Sequence, residues 1–270
     1  MTKFREVLSG LGLPNSIQEC ALGKIESPIV ALDAPFHWYG FPPALIPIWT
    51  EASGPNYYGY WKHWFIDRDP SFVKMYLGAE REVVEIARSV EQLFCYIIVR
   101  AICINDGIDP AVEAFASSVG INNLTEIDEV TLDTGDNPKR LVNISQFRNN
   151  IPLVSIENES NYDGNFPLPS YLTDASTVSS FEFSKEVIDN IDDSVKLPAW
   201  FYPDSVKDVF YSALQEDNLS VAWLSLNSTG WSIVDAKSAI QDLAAHAKDK
   251  QFDQFSSWWL SIADESMGSY

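Results

Sequence analysis

Cysteines, long apolar runs and leader-like segments are scarce in this 270-residue chain. It has 3 cysteines, Cys20, Cys95 and Cys103, whose spacing matches no zinc site. A small, odd number of cysteines is typical of proteins in a reducing compartment. The most apolar run, 93–104, carries Arg100 and is shorter than the about 20 residues that cross a bilayer. The first residues have no secretory apolar stretch, so we expect a cytoplasmic protein that does not bind membranes.

Basic residues are also few, and the chain is strongly acidic. It has 18 Lys and Arg against 38 Asp and Glu, a formal net charge of -20. Nucleic acid and anionic membranes bind clustered cations and are disfavoured as partners, whereas a basic protein is favoured. Between 101 and 138 there are carboxylates but no Lys or Arg, a pattern typical of a solvated surface. We predict that six of these carboxylates steer a basic partner: Asp106, Asp109, Glu113, Glu126, Asp128 and Glu129.

Common catalytic motifs are absent from the sequence. It contains no Gly-x-Gly-x-x-Gly, no Gly-x-x-x-x-Gly-Lys-Ser/Thr and no Gly-x-Ser-x-Gly. His37, His63 and Asp67 would suit a hydrolase or a metal-dependent enzyme if they met in one cleft, while His246 is expected on a helix surface. Histidines in aromatic strands are more often packed than ligating, so we assign no catalytic residue, metal or cofactor.

Aromatic residues, by contrast, are concentrated between 35 and 65, where eleven Phe, Tyr and Trp occur. Alternation along a strand over 57–65 predicts rings on both of its faces. We predict that a partner or ligand contacts seven residues here: Tyr57, Tyr58, Tyr60, Trp61, His63, Trp64 and Asp67. The same rings beside Asn56 would suit a carbohydrate or a planar small ligand. Burial in a sheet core is the third interpretation.

The order of the predicted elements favours an α+β fold, with a twisted, mainly antiparallel sheet flanked by helices and a helical C-terminal part. Ser16 and Glu19 resemble a capping box, and Asp109 with Pro110 predicts a short helix that ends near Gly120. A long apolar stripe predicts a helix over 79–104. Strands are predicted at 28–32, 44–49, 57–65, 71–77, 140–144 and 153–156.

The domain organisation is less clearly marked in the sequence. We predict an α+β domain over 1–195, with an irregular region at 122–180 that is rich in Asn, Asp, Ser, Gly and Pro. Residues 196–270 are predicted to form a helical extension packed on it. A single domain over 1–270 is the alternative.

One segment resembles a known family. Phe41-Pro-Pro-Ala-Leu-Ile-Pro-Ile-Trp49, followed by 54–60 and Val73 and by a helix-like stretch at 82–93, is similar to the SMI1/KNR4 (SUKH) superfamily over residues 25–105. The resemblance implies an α+β fold with a twisted sheet flanked by helices. Many bacterial members look like immunity proteins, which bind and neutralise a cognate toxin that is often a nuclease. The resemblance implies no shared catalytic residues.

These observations together predict an acidic, non-enzymatic, cytoplasmic protein that binds another protein, in the manner of a bacterial immunity protein with a basic toxin. The enzyme with His37, His63 and Asp67 and the small-ligand module remain the alternatives. The sequence does not specify an oligomeric state.

Overall fold

A computed structural model of the chain describes residues 2–51, 56–78, 82–168, 176–192 and 194–270. Gly54, in the family-like segment, and Ala79, in the predicted long helix, lie outside these residues. The fold is α+β, with an antiparallel sheet, flanking helices and a helical C-terminal region, as the sequence predicts.

The sheet is a five-stranded antiparallel meander whose spatial order follows the chain. Its strands are β1 (Leu32–Asp33), β2 (Leu45–Glu51), β3 (Asn56–Trp61), β4 (Ser71–Tyr76) and β5 (Glu82–Ala87). Opposite Gly59 of β3, the backbone of β2 comes so close that a Cβ would lie 2.6 Å from the Ile46 carbonyl oxygen. The register shifts between Pro47 and Trp49 at this point, because a proline cannot donate to the ladder.

Two predicted strands are wrong in their extent. The first, at 28–32, shrinks to the two residues of β1. The strand predicted over 57–65 ends at Trp61, after which the Lys62 N–H bonds to the Ala44 carbonyl and the chain bends out of the sheet. His63 and Trp64 therefore do not continue the alternation of β3.

The long helix predicted over 79–104 is wrong in its first part. Glu82–Ala87 forms β5, because it pairs with β4, and only the second part is the helix α3. The Ser89 side chain accepts a hydrogen bond from the Gln92 N–H and so sets the helix start. The prediction that Asp109 caps the next helix is confirmed, and that helix ends at Gly120. The predicted capping box at Ser16 is wrong, because Pro14 holds the N-cap position of its helix.

The remaining helices cover the sheet or extend the C-terminal part. The numbered helices are α1 (Thr2–Gly10), α2 (Asn15–Ala21), α3 (Val90–Asn105), α4 (Pro110–Val119), α5 (Leu124–Thr134), α6 (Lys185–Asp189), α7 (Val206–Gln215), α8 (Leu219–Leu226), α9 (Ile233–Ala247) and α10 (Lys250–Ile262). In the part of the chain that is described, none is both long and apolar enough to cross a membrane.

The region predicted as irregular, 122–180, begins with a regular helix, α5. Beyond it, the strands predicted at 140–144 and 153–156 are wrong, since both stretches form short 3-10 turns. Pro138 and Pro152 stand at the starts of these turns and have no N–H for a sheet ladder.

The turn Leu153–Ser155 lies against β5, where the buried Glu85 holds it. Its carboxylate accepts from the Leu153 N–H (2.8 Å), the Tyr162 hydroxyl (2.7 Å) and the Ser71 hydroxyl. Burial raises the pKa of Glu85 and outweighs these hydrogen bonds and the Arg88 charge, which lower it. No cation of the described residues lies within 4 Å of the carboxyl group. Glu85 therefore joins the irregular segment to the sheet by hydrogen bonds rather than by an ion pair.

The hydrophobic core runs without a break from the sheet into the C-terminal helices. The Phe65 ring lies 6.1 Å from Trp223 of α8, and Phe4 of α1 stacks on Trp258 of α10 at 4.8 Å. The N-terminal and C-terminal parts thus share buried rings. The division at 195 stays a prediction.

Candidate functional site

The seven residues predicted to contact a partner divide by their exposure. Tyr57, Tyr58, Trp61 and His63 are buried, Tyr60 and Trp64 are half-buried, and Asp67 is exposed. Both faces of β3 are covered, since Tyr57 packs on Phe41 (4.8 Å) on one side and Tyr58 meets Arg100 of α3 on the other. The predicted binding face therefore narrows to Tyr60, Trp64 and Asp67 in the folded protein.

The buried part of this region is a network centred on Glu182. Its carboxylate pairs with the Arg68 guanidinium and accepts from the Trp61 indole (2.9 Å) and the Ser179 N–H (2.8 Å). The His63 Nε2 atom lies 3.5 Å from the same carboxylate. Because Glu182 lies in the 3-10 turn Ser180–Glu182, where the irregular segment ends, the network fixes the end of that segment onto the end of β3.

Protonation in this network follows from burial and pairing. Burial alone would raise the pKa of Glu182, but Arg68 and His63 outweigh it and lower it to about 2. Burial and the Arg68 charge lower the pKa of His63 against the opposing effect of Glu182. At neutral pH the network therefore holds an ionised carboxylate, its arginine and a neutral imidazole. A carboxylate beside an imidazole occurs in hydrolases, but this imidazole is only 2% exposed in the folded protein.

The lowered pKa of His63 predicts that acidification destabilises the fold. Below pH 6.5, the ordinary pKa of histidine, His63 takes up a proton in the unfolded chain but stays neutral in the folded chain. The contribution of His63 to the free energy of unfolding is therefore fully present above that pH and is lost as the pH falls below it. We expect the free energy of unfolding to fall between about pH 7 and about pH 5, before Glu182 titrates. Urea denaturation at each pH measures it.

The matched variants are His63→Gln and His246→Gln, the second at an exposed position of α9. The His63→Gln protein should lose the pH slope in this range whatever its absolute stability, and the His246→Gln protein should keep it. Equal slopes in the wild type and in His63→Gln would contradict the assignment.

The histidines do not form a common centre. His37 is exposed, with its ring 6.2 Å from that of Tyr39, whereas His63 is buried against Trp61 and Glu182. Across the described residues, no group of three or more His, Cys, Asp or Glu side chains is placed to hold a metal ion.

The predicted steering carboxylates lie on or beside α3, α4 and α5, which pack together. Asp106, Glu113 and Glu129 are exposed. The other three are half-buried, and two have structural partners. Asp109 caps α4, and Glu126 pairs with Arg148 (3.0 Å).

The helices that carry these carboxylates also carry exposed apolar side chains. Ile104 and Leu132 have 58% and 78% of their surface exposed. We call this region the acidic surface: Ile104, Asp106, Glu113, Glu129, Leu132, Asp133 and Asp136. Its carboxylates have no cation within 4 Å among the described residues. Such a surface favours a ligand with both positive charge and apolar groups.

A second surface feature, which sequence reasoning missed, surrounds Phe36. This ring is 63% exposed and separates two cavities of about 460 and about 360 Å³. The larger is lined by Phe4 and Trp258, and the smaller by Val30 and Trp49 among others. The available signal was that Phe36 lies in the aromatic segment but between the predicted strands, where a loop can leave a ring exposed.

Comparisons with protein-family models, with curated proteins and with solved structures find no match to this chain. The resemblance to the SUKH superfamily therefore stays a prediction.

Proposed function

We propose that this chain is a cytoplasmic, non-enzymatic interaction protein that binds a basic protein. In the form that the SUKH resemblance implies, it is a bacterial immunity protein that neutralises a cognate toxin. The acidic surface is the observation that carries the proposal, because it combines unpaired carboxylates with exposed apolar side chains.

The physical argument begins with charge. Exposed carboxylates without cations repel one another, and a basic partner relieves that repulsion while it accelerates encounter. A nuclease is a suitable partner, since an enzyme that grips phosphates presents clustered Lys and Arg. Masking that cluster would block its substrate without any chemistry by the inhibitor.

Charge complementarity raises the association rate constant more than it lowers the dissociation rate constant. Ile104 and Leu132 supply the apolar groups that an interface centre requires, because hot spots are desolvated contacts rather than rim charges. The half-buried Tyr60 and Trp64 belong to a separate part of the surface, and their role as contacts stays a prediction.

The experiment uses toxin-like proteins encoded beside this gene, coexpressed with the chain and then purified for binding. Reversing three charges, in Glu113→Lys/Glu129→Lys/Asp133→Lys, should lower the association rate constant about tenfold or more at low salt. The reason is that the steering field changes sign where the partner docks. Stopped-flow mixing at two salt concentrations measures the effect, which should shrink as salt rises.

The control variant, Asp189→Lys/Glu216→Lys/Asp242→Lys, makes the same change in net charge at exposed positions elsewhere. It should slow association much less. Equal effects of the two triple variants would mean that net charge alone acts, and failure of every neighbouring toxin to bind would overturn the proposal.

A further inference from the structure

The smaller cavity beside Phe36 is a preformed socket with both apolar and polar lining. Its volume is about 360 Å³, at the lower end of the ~300–1,000 Å³ range of ligand sites. Ile25, Ile29 and Val30 contribute aliphatic walls, and Cys20 and Trp49 belong to its lining. Both of these are buried, so the socket reaches into the protein core rather than resting on the surface.

The Trp49 indole gives the socket a polar feature. Its N–H is buried and finds no acceptor among the described residues. A buried donor without a partner is destabilising, and an occupant that brings an oxygen to it relieves that cost. A peptide is such an occupant, because each of its residues carries a carbonyl.

The rim of the socket is acidic. Glu26 and Asp33 line it and are exposed, and neither has a cation within 4 Å among the described residues. The neighbouring Lys24 lies instead 3.5 Å from Glu19. The rim therefore favours a positively charged ligand, as the acidic surface does.

The apolar side chains at the mouth are exposed, and the Phe36 ring is also positioned by a contact. Val30 has 98% of its surface exposed. Phe36 is seated on Gly23, whose φ is +69°, and a Cβ there would lie 3.1 Å from the tip of the ring. Exposed apolar groups around a concavity are typical of an interaction site.

The socket also adjoins the acidic surface. The Trp49 ring lies 6.4 Å from Phe115 of α4, the helix that carries Glu113. Both rings are buried, so the two features are joined through the core, and we expect a partner of ordinary interface size to contact both.

We infer that the socket takes an apolar side chain, flanked by Lys or Arg, from the basic protein that binds the acidic surface. This inference rests on the proposed function and adds a second contact, at which a side chain of the partner is buried. The apolar side chain would enter between Val30 and Phe36, its backbone carbonyl would accept from Trp49, and its basic neighbours would face Glu26 and Asp33.

Two synthetic peptides test the inference: acetyl-Lys-Lys-Phe-Lys-Lys-amide and the same peptide with Ala in place of Phe. The full-length protein is labelled with ¹⁵N, and its assigned Trp49 indole resonance is followed during titration. We expect the Phe peptide to shift that resonance and to bind about tenfold more tightly than the Ala peptide, since the ring is buried.

Val30→Arg should abolish the preference for the Phe peptide, because it puts a like charge at the mouth. The exposed Val30 has few contacts to lose, so the variant should fold. Val234→Arg, at a 57% exposed valine of α9, is the control and should keep the preference.

The outcomes separate the socket from the acidic surface. Equal binding of both peptides, or an unmoved Trp49 resonance, overturns the socket. If Glu113→Lys/Glu129→Lys/Asp133→Lys then still slows association with the toxin, the proposed function stands without it. If the Phe preference holds but that triple variant changes nothing, the socket stands and the acidic surface fails.

Discussion

Replacing Glu182 with alanine is expected to lower the free energy of unfolding by about 3–5 kcal/mol. The Glu182 side chain is fully buried, and its partner Arg68 is only 8% exposed. Without the carboxylate, the guanidinium is left without its counterion, and the Trp61 N–H loses an acceptor. Removing one member of a buried pair costs more than the pair contributes, because the other charge stays desolvated.

Urea denaturation at neutral pH measures the loss. The matched control is Glu265→Ala, which breaks an exposed pair with Lys237 of 2.8 Å and should cost less than about 1 kcal/mol. Glu182→Gln keeps the size of the side chain but not its charge, so it should fall between the two. A loss of under about 1 kcal/mol in Glu182→Ala would contradict the pairing described above.

Tyr270→Ala should destabilise the protein by a similar amount, about 3–5 kcal/mol, as do other large-to-small changes of buried rings. The Tyr270 side chain is only 2% exposed. Its ring lies 6.3 Å from both Trp259 and Phe181, and its hydroxyl donates to the Leu226 carbonyl at 2.8 Å. Alanine would leave a cavity among these rings.

Two further variants separate packing from hydrogen bonding at this position. Tyr270→Phe keeps the ring and removes only the hydroxyl, so it should cost about 1 kcal/mol. Tyr202→Ala removes a tyrosine that is 51% exposed and should change stability by about 0.5 kcal/mol or less. Thermal and urea unfolding should rank the three variants in this order, and a Tyr270→Ala protein as stable as Tyr202→Ala would refute the buried position.

The features of the fold that depend on neighbours in the chain could be predicted from the sequence. Asp109 and Pro110 specify a helix start by local geometry, and the structure has it there. The stretch 82–87 could not be assigned in this way, because its apolar residues suit a helix and a strand equally. Pairing with β4, a contact between separate segments, decides for the strand.

The same distinction between local patterns and long-range contacts applies to the candidate site. The excess of carboxylates near α4 follows from composition, and the structure leaves Glu113 exposed as expected. The burial of Tyr57 and Tyr58 could not be foreseen, because it depends on what covers each face of β3. The pairing of His63 with Glu182 joins positions 119 apart in the chain, which no local pattern encodes.

Glu85 also bears on how copies of this chain behave towards one another. An open strand edge presents unpaired N–H and C=O groups on which another chain can add a strand, and it is a common starting point for aggregation. β5 is the last strand of the sheet, and the turn Leu153–Ser155 packs against it, where Glu85 binds Leu153 and Tyr162. We expect this buried carboxyl to hinder the addition of a sixth strand from another copy, even where salt screens the repulsion between the molecules.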